Sequence, residues 1–276
     1  MYKRKKITSQ IIFVALIIIL AVHMAPIIIV ILNSLRSNPE VRSALFGIPT
    51  KINFDNYTYV FIKGNYHTSY LYNFIVGAGA VFLVEILISL ASYGVVKLKA
   101  YKSGFFTGYF IASLSIPTFG ILIPLFSIFN RIGLVNTLPG LILIFTATSI
   151  PFNFMFARSF FIGIPHEIEE AAKIDGANDI QTLQYVTFPL ATPILTTVAL
   201  VVFTNSWNNF MIPTIFLSDP KYRLVSLNFF LFKGEFQSDL AYIFVAAVYS
   251  ILPILLLYMF LQKSFIEGMT KGGIKG

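Results

Sequence analysis

Residues 169–189 read EEAAKIDGANDIQTLQYVTFP, and their chemistry decides the fold of what surrounds them. The stretch lies between two hydrophobic runs long enough to cross a bilayer, yet Glu167, Glu169, Glu170, Asp175 and Asp179 fall in it or just before it. Each carboxylate costs kilocalories in hydrocarbon, so the segment belongs in water or against a soluble surface while its neighbours belong in lipid. The residues predict two short helices. Pro165 can open the first, where its missing N–H is no loss, and the glutamates sit near the positive end of that helix dipole. Ala171 and Ala172 are strong helix formers without bulk, so another surface can approach the backbone. Gly176 permits a turn, Asn178 or Asp179 can cap the second helix, and Pro189 ends it. On these grounds alone a docking element, an amphipathic interfacial hairpin and a solvated loop all stay open.

Working outward, the chain has the composition of a membrane protein. Of its 276 residues 57% are hydrophobic and 12% charged, against about 25% charged in a soluble domain; its mean hydropathy is +0.79. The 29 phenylalanines and 14 tyrosines suit a lipid-facing surface and its interfacial belts. The absence of cysteine excludes disulfides, thiolate metal ligands and cysteine nucleophiles. The net charge of +8 does not point to nucleic acid, because the basic residues flank apolar runs instead of forming one stripe.

Six membrane spans are predicted, at residues 11–32, 70–95, 105–128, 138–162, 190–212 and 242–262, each close to or above the ~20 residues needed to cross. The first follows MYKRKK and is expected to be a retained anchor, since its apolar run is too long for a signal peptide. Lys3, Arg4, Lys5, Lys6, Lys97, Lys99, Lys102, Arg158, Lys173, Lys263, Lys271 and Lys275 fall on one side, which the positive-inside rule makes cytoplasmic. Both termini and the acidic segment are then inside.

The acidic stretch also resembles the signature of the membrane subunits of ATP-binding-cassette importers: a glutamate and two alanines, a glycine four positions on, and an aliphatic-x-apolar-Pro close. Glu170, Ala171, Ala172, Gly176, Val186, Phe188 and Pro189 fill those places, with Val186 for the commoner isoleucine and Phe188 for leucine. The tail, residues 262–276, QKSFIEGMTKGGIKG, resembles that of carbohydrate-importer permeases akin to the second subunit of the maltose permease. NTLPGLIL from Asn136, the run Pro151 to Arg158 and WNNFMIP from Trp207 are similar to segments at corresponding places in sugar permeases.

The resemblance implies an all-α, six-span, type I importer permease in a bacterial plasma membrane, one domain over 1–276. Within it, residues 165–189 would form a cytoplasmic coupling segment whose Glu169, Glu170, Ala171, Ala172, Asp175, Gly176 and Ala177 meet a separate ATPase. Gly268, Lys271, Gly272 and Gly273 of the tail would insert between ATPase subunits; without the resemblance a glycine-lysine terminus is simply frayed. Implied partners are a homologous second permease subunit, an ATPase dimer, an extracytoplasmic solute-binding protein and a carbohydrate. No cofactor is expected on this chain; ATP and Mg belong to the ATPase.

Three amides mark a possible solute path. Asn205, Asn208 and Asn209 lie at i, i+3 and i+4, so a continuous helix would put them on one face. Amides suit sugar hydroxyls, but they serve equally well to bond neighbouring helices. Glu85 is an acid deep in the second span, open to proton coupling or to a partner on another helix. Enzymatic chemistry finds little support: there is no GxxxxGK[ST] loop, no GxSxG, and the zincin-like start at His166-Glu167 meets Glu170 where a histidine is required. A stand-alone carrier or channel would not need the acidic element. Mono-, di- and oligosaccharides, sugar acids and polyols all fit.

Overall fold

The structure is a computed structural model describing residues 2–98, 101–233 and 239–273, with side-chain surroundings for 10–98, 101–233 and 239–262. The described residues are helical, with no strand. They divide into two compact units, residues 1–67 with 228–252 and residues 68–227 with 253–276.

In the first unit, α1 (Tyr2–Ser34) carries an unbroken apolar run from Ile11 to Val22, and none of its most hydropathic window is buried. It leads into α2 (Asn38–Ser43) and α3 (Asp55–Lys63). The α2 turn is tied by Arg36, whose guanidinium donates to Asn33 Oδ1 at 2.8 Å and to the carbonyls of Ala44 and Glu40 at 2.7 Å each. Ser37 and Glu40 form a capping box, and Thr50 also donates to Glu40. These donors hold the Glu40 carboxyl far below its ordinary value, at about 2, the Thr50 hydroxyl contributing most.

The second unit carries most of α4 (Tyr66–Val96) and then α5 (Ser103–Leu114), α6 (Thr118–Arg131) and α7 (Leu138–Ile162). After α8 (His166–Ile174) come α9 (Asp179–Thr182), α10 (Phe188–Leu190), α11 (Thr192–Asn208), α12 (Met211–Phe216) and the later part of α13 (Leu240–Gly273). Val76, Ala80, Val84 and Ile88 recur every fourth position on α4 and are buried against Ile144, Phe145 and Phe154 of α7 and Val198 and Val202 of α11. Close approach is what Gly77 and Gly79 allow: a Cβ at either would lie 2.8 Å from Phe203 or Ile142, the small-residue packing of membrane helices.

Among the described residues four helices are long and apolar enough to cross a membrane, six if two bent pairs each count as one span. The range 105–128, read as one span, is bent by 102° between α5 and α6. The break falls where Pro117 takes extended backbone at the mouth of α6, as the residue preceding and the ring itself disfavour a continuous helix. The range 190–212 is also not one helix: α11 ends at Asn208, Asn209 is extended, and α12 starts afresh.

Candidate functional site

The acidic stretch folds as a helical elbow at the end of α7. Pro165 is the N-cap of α8. The C-terminal end of α8 is closed by a Schellman motif: Ala177 N–H donates to Ala172 O at 3.0 Å and Gly176 N–H to Lys173 O at 3.1 Å. Gly176 has φ +90°, where a side chain is strained. Asn178 then caps α9, accepting from Gln181 N–H at 2.9 Å in a capping box. Pro189 does not end this second helix. The chain widens into a π turn at Leu183–Thr187 and stays helical to Leu190, giving the carbonyls ahead of the proline ring room to move aside.

Electrostatics fasten the elbow twice. Lys173 Nζ lies 2.7 Å from Asp179 Oδ1, joining α8 to α9 at the surface, and that hydrogen bond raises the lysine above its ordinary pKa. The second fastening corrects the sequence reading. Glu169 was expected on the docking face, yet it is 4% exposed. Its Oε1 accepts from Thr187 Oγ1 at 3.0 Å and stands 3.5 Å from Lys97 Nζ, while His166 Nδ1 is 3.7 Å from Oε2. Lys97, at the foot of α4, also donates to Ile164 O at 2.7 Å. Glu169 therefore anchors α8 to the membrane helices instead of facing out, because a buried carboxylate needs a charge and donors around it.

Glu170, Ala171, Asp175 and Gly176 are exposed, and Ala172 and Ala177 half-buried. Neither Glu170 nor Asp175 has an ion-pair or hydrogen-bonding side-chain partner among the described residues. Beside them stand Ile174 at 85% exposure, Ile180 at 74% and Tyr185 at 69%. In the sequence the carboxylates mask these three, whose signal is an apolar side chain within a polar, water-facing stretch. For Gly268, Lys271, Gly272 and Gly273, α13 runs through Gly273, but their side-chain surroundings lie outside the described residues.

A cavity of about 800 Å³ opens in the second unit, lined by Asn205, Asn208 and Asn209 together with Phe210, Met211 and Tyr258. The three amides meet there, though not as one helical face. Asn205 and Asn208 are exposed on α11, and their side chains have no hydrogen bond within the chain among the described residues. Asn209 lies past the helix end, where its Oδ1 accepts from Ile212 N–H at 3.0 Å. Trp207 points elsewhere, buried and stacked on Tyr70 and Phe203. Glu85 is partly buried on α4, with no ion-pair partner among the described residues. No group of three or more His, Asp or Glu among the described residues could hold a metal ion.

Comparison with known proteins matches residues 85–271 to the family described as "Binding-protein-dependent transport system inner membrane component". The chain is 30% identical to the diacetylchitobiose uptake system permease protein NgcG of Streptomyces coelicolor, over 90% of this chain and 82% of that protein. It is 30% identical to the trehalose/maltose transport system permease protein MalG of Thermococcus litoralis, over 99% of each. Its fold is similar to a chain in the crystal structure of a bacterial ABC transporter involved in import of the acidic polysaccharide alginate, with TM-score 0.82 and 25% identity over 94% of this chain and 97% of that one.

Proposed function

The chain belongs to the binding-protein-dependent transport system inner membrane components, and from that premise we propose that it is a permease subunit of an ATP-driven sugar importer in the bacterial plasma membrane. Members of this family are transport proteins, and this chain does no covalent chemistry of its own. It works with a homologous second permease subunit, an ATPase dimer that carries ATP and Mg, and an extracytoplasmic binding protein that delivers the carbohydrate. Relatives and fold neighbours named for diacetylchitobiose, trehalose and maltose, and alginate support carbohydrate as the solute class.

The observation that carries the reading is the surface of the elbow. Glu170 and Asp175 stand unpaired beside Ile174, Ile180 and Tyr185, on a frame locked from behind by Glu169. Isoleucines exposed at the water end of a membrane protein call for a covering partner, and carboxylates around them favour a basic rim on that partner. The elbow is the ATPase docking element, with Glu170, Ala171, Ala172, Asp175, Gly176 and Ala177 at the contact and the glycines of the tail as a second contact. Closure of the ATPase pair on ATP pushes the elbow, and the rigid Lys97–Glu169 link passes that push to α4 and α7. The spans then open outward to the loaded binding protein.

Asn205 and Asn208 are the substrate-facing groups of this subunit. Amides with no partner in the chain, in an apolar-walled cavity with Phe210 and Tyr258, offer both hydrogen bonds and ring faces to a sugar. The test is reconstitution of the complete transporter with binding protein loaded from a panel of sugars. Glu170→Lys and Gly176→Pro should assemble yet lose at least tenfold of the stimulated ATPase activity and transport; normal coupling in both variants refutes the docking assignment.

A further inference from the structure

A second cavity, of about 440 Å³, lies in the second unit between α4, α5 and α7, at the end of α7 that leads into the elbow, and Arg158 is its one charged wall residue among the described residues. Arg158 sits one turn before the end of α7. Its Nε is shut off from solvent without a hydrogen-bond acceptor, and the guanidinium has no carboxylate partner among the described residues. An arginine at this depth is costly unless something anionic meets it. An arginine that merely snorkelled to water would keep its head wet; here Nε is sealed with no acceptor among the described residues.

The remaining walls describe what fits. Ser103 and Thr107 line it from one face of α5, the Thr107 hydroxyl donating to Ser103 O at 3.0 Å. Gly104 and Gly108 lie on the same helix with nothing within 4 Å of a Cβ placed on either, so the space above them is open. Ile111 and Ile162, which also line the cavity, are 49% and 56% exposed. A planar fork of N–H donors beside the Ser103 hydroxyl, opening onto exposed isoleucines, matches a phosphate oxyanion that carries a hydrocarbon tail.

We propose that this cavity binds the phosphate headgroup of an anionic inner-leaflet lipid, with Arg158 as its charged ligand and the α5 and α7 isoleucines against its acyl chain. Basic pockets between membrane helices on the cytoplasmic side recognise such headgroups. The bound lipid neutralises Arg158 at the junction where α7 hands on to the elbow, so it steadies the base of that element. This site is separate from both the elbow surface and the amide cavity, and its failure would leave the transport assignment standing.

The experiment uses the assembled transporter in detergent, with native mass spectrometry scoring retained phosphatidylglycerol. Arg158→Gln should lower retention about fivefold, the weight of one basic group at an anionic surface. Arg158→Lys, which keeps the charge without the fork, should fall between. Gly108→Leu fills the open space and leaves the charge, so it should also lower retention; it carries the test alone if the arginine variants do not assemble. Retention unchanged in both Arg158→Gln and Gly108→Leu overturns the proposal. Binding of glycerol 3-phosphate to the lipid-free assembly that Arg158→Gln abolishes and that added phosphatidylglycerol does not displace also overturns it, by making free phosphate the ligand. So does loss of a protein subunit from the Arg158→Gln assembly with lipid retention intact.

Discussion

Lys97 and Glu169 show how much rests on two side chains. The pair is 2% and 5% exposed, so removal of one member strands a charge in a site built for two. Glu169→Leu is expected to cost about 3 kcal/mol, whereas the double change to apolar residues of similar volume, Lys97→Met with Glu169→Leu, should restore most of it. Thermal unfolding of the purified protein across the four-member cycle checks this; additive losses would refute it. Glu40 supplies a prediction in pH. Its folded pKa of about 2 lies below the ordinary carboxyl value of 4.5, so its contribution is full above about 4.5 and is lost as pH falls towards 2. Protection of the Ser37 amide, bonded to Glu40 Oε2 at 2.9 Å, should hold down to that window in hydrogen exchange. In Glu40→Gln the fall in that window should vanish. Of these residues the sequence marked Glu169 only as an acid; its partner lies on another span, and no local pattern connects the two.

At the scale of elements, the elbow was the most legible part of the chain. Proline entry, acidic first turn, glycine exit and Asn cap are local rules, and local rules act between neighbours already joined by the backbone. Gly176 puts one of them to measurement. Its φ of +90° disfavours any side chain, but a Cβ there meets nothing within 4 Å, so strain is the whole effect. Gly176→Ala should cost about 1 kcal/mol and raise exchange at the amides of 175–178 without weakening ATPase assembly more than a few-fold; a larger assembly loss would mean the Cβ strikes the partner. The third and fifth spans were legible only as hydrophobic stretches. Hydropathy counts apolar residues, and it does so equally through a straight helix and one bent by 102°.

For the whole molecule, the amide cavity makes the functional claim. The double variant Asn205→Leu with Asn208→Leu should raise the half-saturating sugar concentration or lower uptake by about tenfold. ATPase activity without binding protein should stay unchanged in reconstituted vesicles. A loss of assembly instead would assign these amides to the second permease subunit. Exposed surface follows the same logic: α1 has Ile11, Phe13 and Leu20 more than half exposed, and only lipid or another subunit can cover them. By itself the sequence determined that this is an all-helical membrane protein and where its water-facing elbow lies, because transfer free energy and backbone capping are summed over adjacent residues. Tertiary structure alone decided that Glu169 faces inward to Lys97, that Asn205 and Asn208 open onto a cavity shared with Tyr258, and that Arg158 lines a second cavity. Each of those depends on which distant groups packing brings within a few ångströms, and side-chain desolvation is settled there and not along the chain.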